Sequence, residues 1–169
     1  MITKDEKLKV LRSIEMEEEI HLLLNEILPE LGFKDVHITH ERGNKSENGK
    51  DLICSYEDKV ELKKDWIAFV VKKGVVAGKS IVIQDIIAQT KDCFEHEYKD
   101  VVKGLRIRIN KVKIVTNKHF SSEAKSKIET NNNFDKANIS FWDEERLIEL
   151  IEQHYPQFWL KGSKSYKKY

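Results

Sequence analysis

The run Trp66-Ile67-Ala68-Phe69-Val70-Val71, closed by Lys72, constrains this chain more than any other stretch. It is apolar without interruption. It is flanked by Asp65 and by a lysine- and glycine-containing segment, Lys72-Lys73-Gly74. A short continuous run of this kind, with aromatic and β-branched side chains, predicts a strand buried on both faces. Such a strand needs a covering layer on each side of its sheet. A second run, Leu52-Ile53-Cys54, follows Gly49-Lys50-Asp51. If the two runs are neighbouring strands, Asp51 and Lys72 meet at one end of the sheet. A carboxylate there can hold a divalent cation, and a lysine beside it can activate a water or steady a phosphate.

The remaining segments suit a frame around those strands. Ile20, Leu23, Leu24, Ile27 and Leu31, with Met16 ahead of them, recur at three- and four-residue spacing. They predict a long helix over about Asp5 to Leu31, broken at most once, with Pro29 and Gly32 at its end. The acids Glu15 and Glu17 to Glu19 read as a solvated face, with Glu17 on the flank of the apolar stripe, where it can also turn inward. Val36-His37-Ile38-Thr39 alternates as a first strand, Asp51 to Tyr56 is the second and Trp66 to Lys72 the third. Glu41 to Lys50 and Glu57 to Asp65 read as connections, the latter a hairpin turn, and Lys73 to Lys79 as an exposed loop. Ser80 is a candidate N-cap for a helix carrying Ile81, Ile83, Ile86, Ile87, Gln89, Thr90 and Phe94. Glu95 to Asn110 carries no assignable pattern. Then follow a strand at Val112 to Thr116, a helix capped by Ser121-Ser122-Glu123, a turn at Asn131 to Asn133, a strand at Ala137 to Trp142, and a helix from Asp143 to His154.

Three strands with short connections predict an antiparallel meander, and the later strand–helix alternation predicts crossover units. The expected fold is therefore a mixed α/β domain, a central five-stranded mixed sheet with helices on both faces, over residues 1–154. Residues 155–169, with Phe158, Trp159 and four lysines, read as a basic and aromatic tail or linker.

Composition bounds the function only loosely. Charged residues make up 35% of the chain, yet acids and bases nearly cancel at a net charge of +1. A sum this close to zero neither requires nor excludes nucleic acid, because clustering decides that. Cys54 and Cys93 form no Cys-x-x-Cys pair, which argues against structural zinc and for two buried thiols in a reducing compartment. No stretch has the length and apolarity of a membrane span, and the first residues lack a signal-peptide pattern, so the expectation is a cytoplasmic protein with no membrane partner. His37 and His40 could be ligands, but each reads first as a strand-face or loop histidine.

The ordered set Leu31-Gly32-Phe33, Gly49-Lys50-Asp51-Leu52-Ile53, Phe69-Val70-Val71-Lys72 and Gln89, followed by Val112 to Thr116 and Ser121-Ser122-Glu123-Ala124, resembles the PD-(D/E)xK nuclease superfamily. Within it the chain looks like the Mrr-like restriction endonuclease domains. Its Val-Val-Lys variant is similar to the nuclease-like domain at the N-terminus of some large NTPase proteins of antiviral defence. The resemblance runs from about Glu17 to Tyr155 and implies a restriction-endonuclease-like fold. It implies Mg²⁺ (or Mn²⁺) as cofactor and DNA as substrate and partner, in a larger protein or a homo-oligomer. It further implies Asp51, Lys72 and Gln89 as catalytic residues. Asp51, the Val71 backbone carbonyl and Glu17, or else Glu18, would be the metal ligands. Lys73, Lys79, Lys103, Arg106 and Arg108 are expected to contact phosphates.

One position departs from the family. The residue two before the lysine, an acid or glutamine in these nucleases, is Val70. Valine offers no oxygen to Mg²⁺. Either the remaining oxygens suffice, with Glu41 or Glu57 as possible substitutes, or the domain is catalytically silent and serves as a DNA-binding or assembly module.

Overall fold

A computed structural model describes residues 2–39, 49–100, 102–131 and 135–161. His40, Glu41, the polar connection after them, Asn132, Asn133 and the lysine-rich stretch 162–169 lie outside these residues.

The N-terminal helical segment is two helices, α1 (Lys4–Arg12) and α2 (Glu17–Glu30). Thr3 caps α1 in a reciprocal box with Glu6. At the break, Glu19 folds back and its Oε2 accepts from the backbone N–H groups of Glu15 and Met16. Met16 is therefore an exposed cap residue and not a member of the buried stripe. Pro29 lies in the last turn of α2, and Gly32 takes φ +86°, the left-handed conformation that lets the chain reverse into the sheet.

The strands β1 (Lys34–Ile38), β2 (Leu52–Asp58) and β3 (Lys63–Lys72) form the expected antiparallel meander. β2 and β3 pair as far as Asp58 and Lys63, so the hairpin turn is shorter than the sequence suggests. After helix α3 (Val82–Glu95), the unassigned stretch forms a small hairpin, β4 (Tyr98–Asp100) and β5 (Leu105–Ile107), turned by Gly104 at φ +64°. Strand β6 (Lys111–Thr116), helix α4 (Ser122–Asn131), strand β7 (Ile139–Trp142) and helices α5 (Glu144–His154) and α6 (Phe158–Lys161) complete the chain. The main sheet has the order β1-β2-β3-β6-β7, with β6 and β7 parallel to β3. The mixed five-stranded sheet with helices on both faces is the architecture expected.

Strand β3 lies at the centre of the sheet, and its alternation divides the core in two. Ile67, Phe69 and Val71 face α1, α2 and α5, while Ala68 and Val70 face α3 and α4. Continuous apolarity is thus what a strand roofed on both sides requires. Tyr155, Phe158 and Trp159 are buried in the same cluster as α2 and α5. The boundary expected after His154 therefore does not hold, and the folded unit runs on through α6. Among the described residues no helix is long and apolar enough to cross a membrane.

Candidate functional site

Strand β2 starts beside the end of β3, so Asp51 and Lys72 do reach one rim of the sheet. The Asp51 N–H donates to the Phe69 carbonyl at 2.9 Å, continuing the β2–β3 ladder by one rung. The next rung is made by a side chain: Val71 N–H donates to Asp51 Oδ2 at 2.7 Å. The Asp51 carboxyl thus takes the place of a ladder carbonyl. In an extended strand a residue's N–H and C=O point the same way, so the Val71 carbonyl also faces the Asp51 side.

Asp51 is only 7% exposed, and burial pushes its carboxyl up to about 7. The Val71 N–H and the Lys72 ammonium oppose that rise, and the Glu17 and Glu18 carboxylates add to it. Asp51, Lys72 and two acids from the start of α2 are therefore close enough to feel one another. Glu17 is tied into the rim, its Oε1 accepting from the Lys73 N–H at 3.3 Å. Glu19 is occupied as the helix cap, whereas Glu17 reaches the rim and the charges of Glu17 and Glu18 raise the Asp51 carboxyl.

Gly49 sets the approach of α3. It has φ +78°, and a Cβ there would lie 2.5 Å from the Gln89 carbonyl oxygen. Only glycine allows this backbone contact. It brings Gln89 alongside the segment that carries Asp51, and Gln89 Oε1 is buried with no hydrogen-bond partner among the described residues.

Asn117, which the sequence reading passed over, holds these parts together. It is fully buried, just beyond β6. Its Oδ1 accepts from Gly74 N–H at 2.8 Å, directly after the Lys72-Lys73 pair. Its Nδ2 donates to the Leu11 carbonyl at 3.0 Å and the Ile14 carbonyl at 3.2 Å, at the break that leads into Glu17. One amide thereby locks the lysine-bearing loop to the acid-bearing helix start. The signal was local: an asparagine closing an Ile-Val-Thr run suits a side chain that bonds backbone at a strand end.

Other expected participants lie elsewhere. Val70 is fully buried against Ile83 and Ile86 of α3, a packing position with no access to the rim. Glu57 pairs with Lys34 at 3.3 Å and stands six residues along β2 from Asp51, about 20 Å at ~3.3 Å per residue. It cannot replace the missing acid. Lys103 lies 3.8 Å from Asp35 of β1, and Arg106 and Arg108 are exposed just before β6, whose first residue pairs with Ile67. That is five residues back from Lys72, about 17 Å. Lys73 is exposed at the rim, whereas Lys79 follows Gly78, whose N–H donates to Ser121 Oγ near the start of α4. The expected phosphate contacts are thus divided between two ends of the sheet. His37 is a strand residue with its ring 5.9 Å from that of Tyr98.

The rim offers two kinds of oxygen, carboxylate and backbone carbonyl, both hard donors of the kind Mg²⁺ and Mn²⁺ accept. A buried carboxyl crowded by two further acids is also a group whose charged form a cation would favour. The donor set fits such an ion.

No protein-family model matches the chain. No curated protein matches it. Among solved structures it is similar to the MspJI restriction endonuclease, determined in complex with a 27-mer oligonucleotide, with a TM-score of 0.47 and 12% sequence identity. The match covers 89% of this chain and 34% of that one, so the chain spans about a third of the length of its structural neighbour.

Proposed function

We propose that this chain is a divalent-cation-dependent endonuclease domain that hydrolyses DNA phosphodiester bonds at the Asp51–Lys72 rim. The observation that carries the reading is that Asp51, Lys72 and Glu17 share one rim of the sheet, Asp51 bonded to the Val71 N–H and Glu17 to the Lys73 N–H. In this reading Asp51 Oδ1, the Val71 carbonyl and Glu17 hold Mg²⁺ or Mn²⁺. When bound, the ion supplies Lewis-acid stabilisation of the phosphoryl oxygens. Lys72 places its ammonium beside the scissile phosphate and stabilises the charge that develops there. Gln89 orients Lys72 through its free carbonyl oxygen, or the phosphate through its side-chain N–H groups. Lys73 steadies the neighbouring phosphate. The resemblance of the Gly49–Ile53 and Phe69–Lys72 motifs to Mrr-like nucleases supports a role in restriction or antiviral defence, within a larger protein or a homo-oligomer.

A second reading has its own observation. Val70 occupies the place of a second metal-binding acid and is committed to the core. A domain so altered can bind DNA or assemble a complex without cutting.

Plasmid nicking with Mg²⁺ or Mn²⁺ separates the two. The endonuclease reading expects nicking by the wild type that is lost in both Asp51→Asn and Lys72→Ala, with circular dichroism unchanged. Salt-sensitive DNA binding with no nicking by any form, at any protein concentration that permits self-association, selects the binding module.

A further inference from the structure

A groove of about 300 Å³ opens between the β1–β3 part of the sheet and the β4–β5 hairpin. Its walls include His37, Ile53, Trp66, Tyr98, Leu105 and Ile107. Three of these six are flat rings. The rings of His37 and Tyr98 lie 5.9 Å apart at 52°, and the Lys64 ammonium stands 4.5 Å from the centre of the Trp66 ring. Leu105 and Val102 form an apolar lip, Val102 being 96% exposed.

The charges around the groove cancel. Lys64 and Lys103 are matched by Asp35 and Asp100, and both lysines lie within 4 Å of Asp35. A balanced rim of donors and acceptors suits neither a phosphate nor a strongly cationic ligand. Flat apolar walls with mixed polar groups at the edge suit a neutral planar heterocycle, which stacks on the rings and bonds through its edge. The groove is also close to the rim. Its near wall, Ile53, is two residues from Asp51, about 7 Å along the strand, and Trp66, paired with Ser55, is four residues away, about 13 Å. That is about two to four nucleotide rises of ~3.4 Å on a single strand.

We propose that this groove holds one unpaired nucleobase of the strand presented to Asp51, making single-stranded or locally unpaired DNA the preferred substrate. The inference rests on the endonuclease reading of the rim. A paired base cannot enter, because its faces are stacked and its edge is occupied. A base taken out of the stack exposes both.

The test uses the full chain in EDTA and compares three labelled duplexes by fluorescence anisotropy. One is fully paired, one carries a single mismatch, and one carries an abasic site at the same position. The mismatched duplex is expected to bind about tenfold more tightly than the paired one, in line with one stacked base. The abasic duplex should match the paired one. Trp66→Ala should remove the preference. His37→Ala, a change at an exposed ring, should reduce it with folding intact. Equal affinity for paired and mismatched duplexes overturns the inference. So does tight binding of the abasic duplex, which would show recognition of a flexible step and not of a base. Nicking with Mg²⁺ that ignores mismatches overturns the groove alone and leaves the endonuclease standing. Mismatch preference without any nicking does the reverse.

Discussion

Asp51 precedes β2 and Asp35 lies on β1 opposite the middle of β2, and their surroundings differ. Asp35 is surrounded by partners. Ser55 Oγ donates to it at 2.7 Å, Lys64 lies at 3.0 Å and Lys103 at 3.8 Å, and its carboxyl is held below the usual range, first by Ser55 and then by Lys64. Asp51 has one backbone N–H, a nearby lysine and two acids, and burial drives its carboxyl up to about 7. Asp35 is satisfied by the protein. Asp51 is incompletely neutralised where the charges of two more acids act on it. An acid of the first kind makes a sheet edge, whereas one of the second kind leaves room for a cation from outside.

The contrast can be broken most severely through catalysis. Asp51→Asn should lower nicking by at least about a hundredfold, the order of loss when a main electrostatic contributor is removed. Asp35→Asn should have a far smaller effect, under about tenfold, exerted through the charge balance of the groove it lines and not through the cation.

Stability gives the next largest effect. Asn117→Ala leaves the Gly74 N–H and two α1-side carbonyls without their buried partner and should cost about 2–4 kcal/mol in urea unfolding. It should also weaken cation binding, because it frees the segment before Glu17 from the loop after Lys72. A loss of stability with unaltered Mn²⁺ affinity would show that Asn117 braces the fold without positioning the site.

The two aspartates should also respond to pH with opposite signs. The folded protein holds the Asp51 proton more tightly than the unfolded chain, whose value is near 3.8. Its contribution is fully present below about 4 and is lost as pH rises through about 7, so stability in EDTA falls across that window by at most about 4 kcal/mol. Asp51→Asn, which keeps an acceptor for the Val71 N–H, should flatten the fall and be the more stable protein at pH 8. Asp35 behaves in reverse. Its depressed value adds stability above the unfolded value that is lost as pH falls through the folded one, and partial exposure keeps the effect under about 1 kcal/mol. Thermal unfolding of wild type, Asp51→Asn and Asp35→Asn between pH 3 and 8 checks both signs.

The sheet was legible because the run from Trp66 to Val71 is short, unbroken and rich in aromatic and β-branched residues, which favours a strand roofed on both sides, and the short gaps before it favour a meander. That Asp51 and Lys72 share one rim followed from the antiparallel neighbourhood of β2 and β3. The β4–β5 hairpin was not legible, since strands of three residues carry too little pattern to stand out from a charged segment. The start of the expected tail was misread because Phe158 and Trp159 are separated from α5 by Pro156, and only the tertiary core shows that they return to it. Asn117 and the division of the basic residues between two ends of the sheet depend on distances across the fold, which no local spacing encodes.

Whether a cation belongs at Asp51 is tested directly by titration of the intact chain with Mn²⁺ at pH 7.5, followed by electron paramagnetic resonance. Wild type and Asp35→Asn should each bind one ion with the same affinity, and Asp51→Asn should bind none at that strength. Undiminished binding in Asp51→Asn, or no binding by the wild type, would contradict a cation site at Asp51.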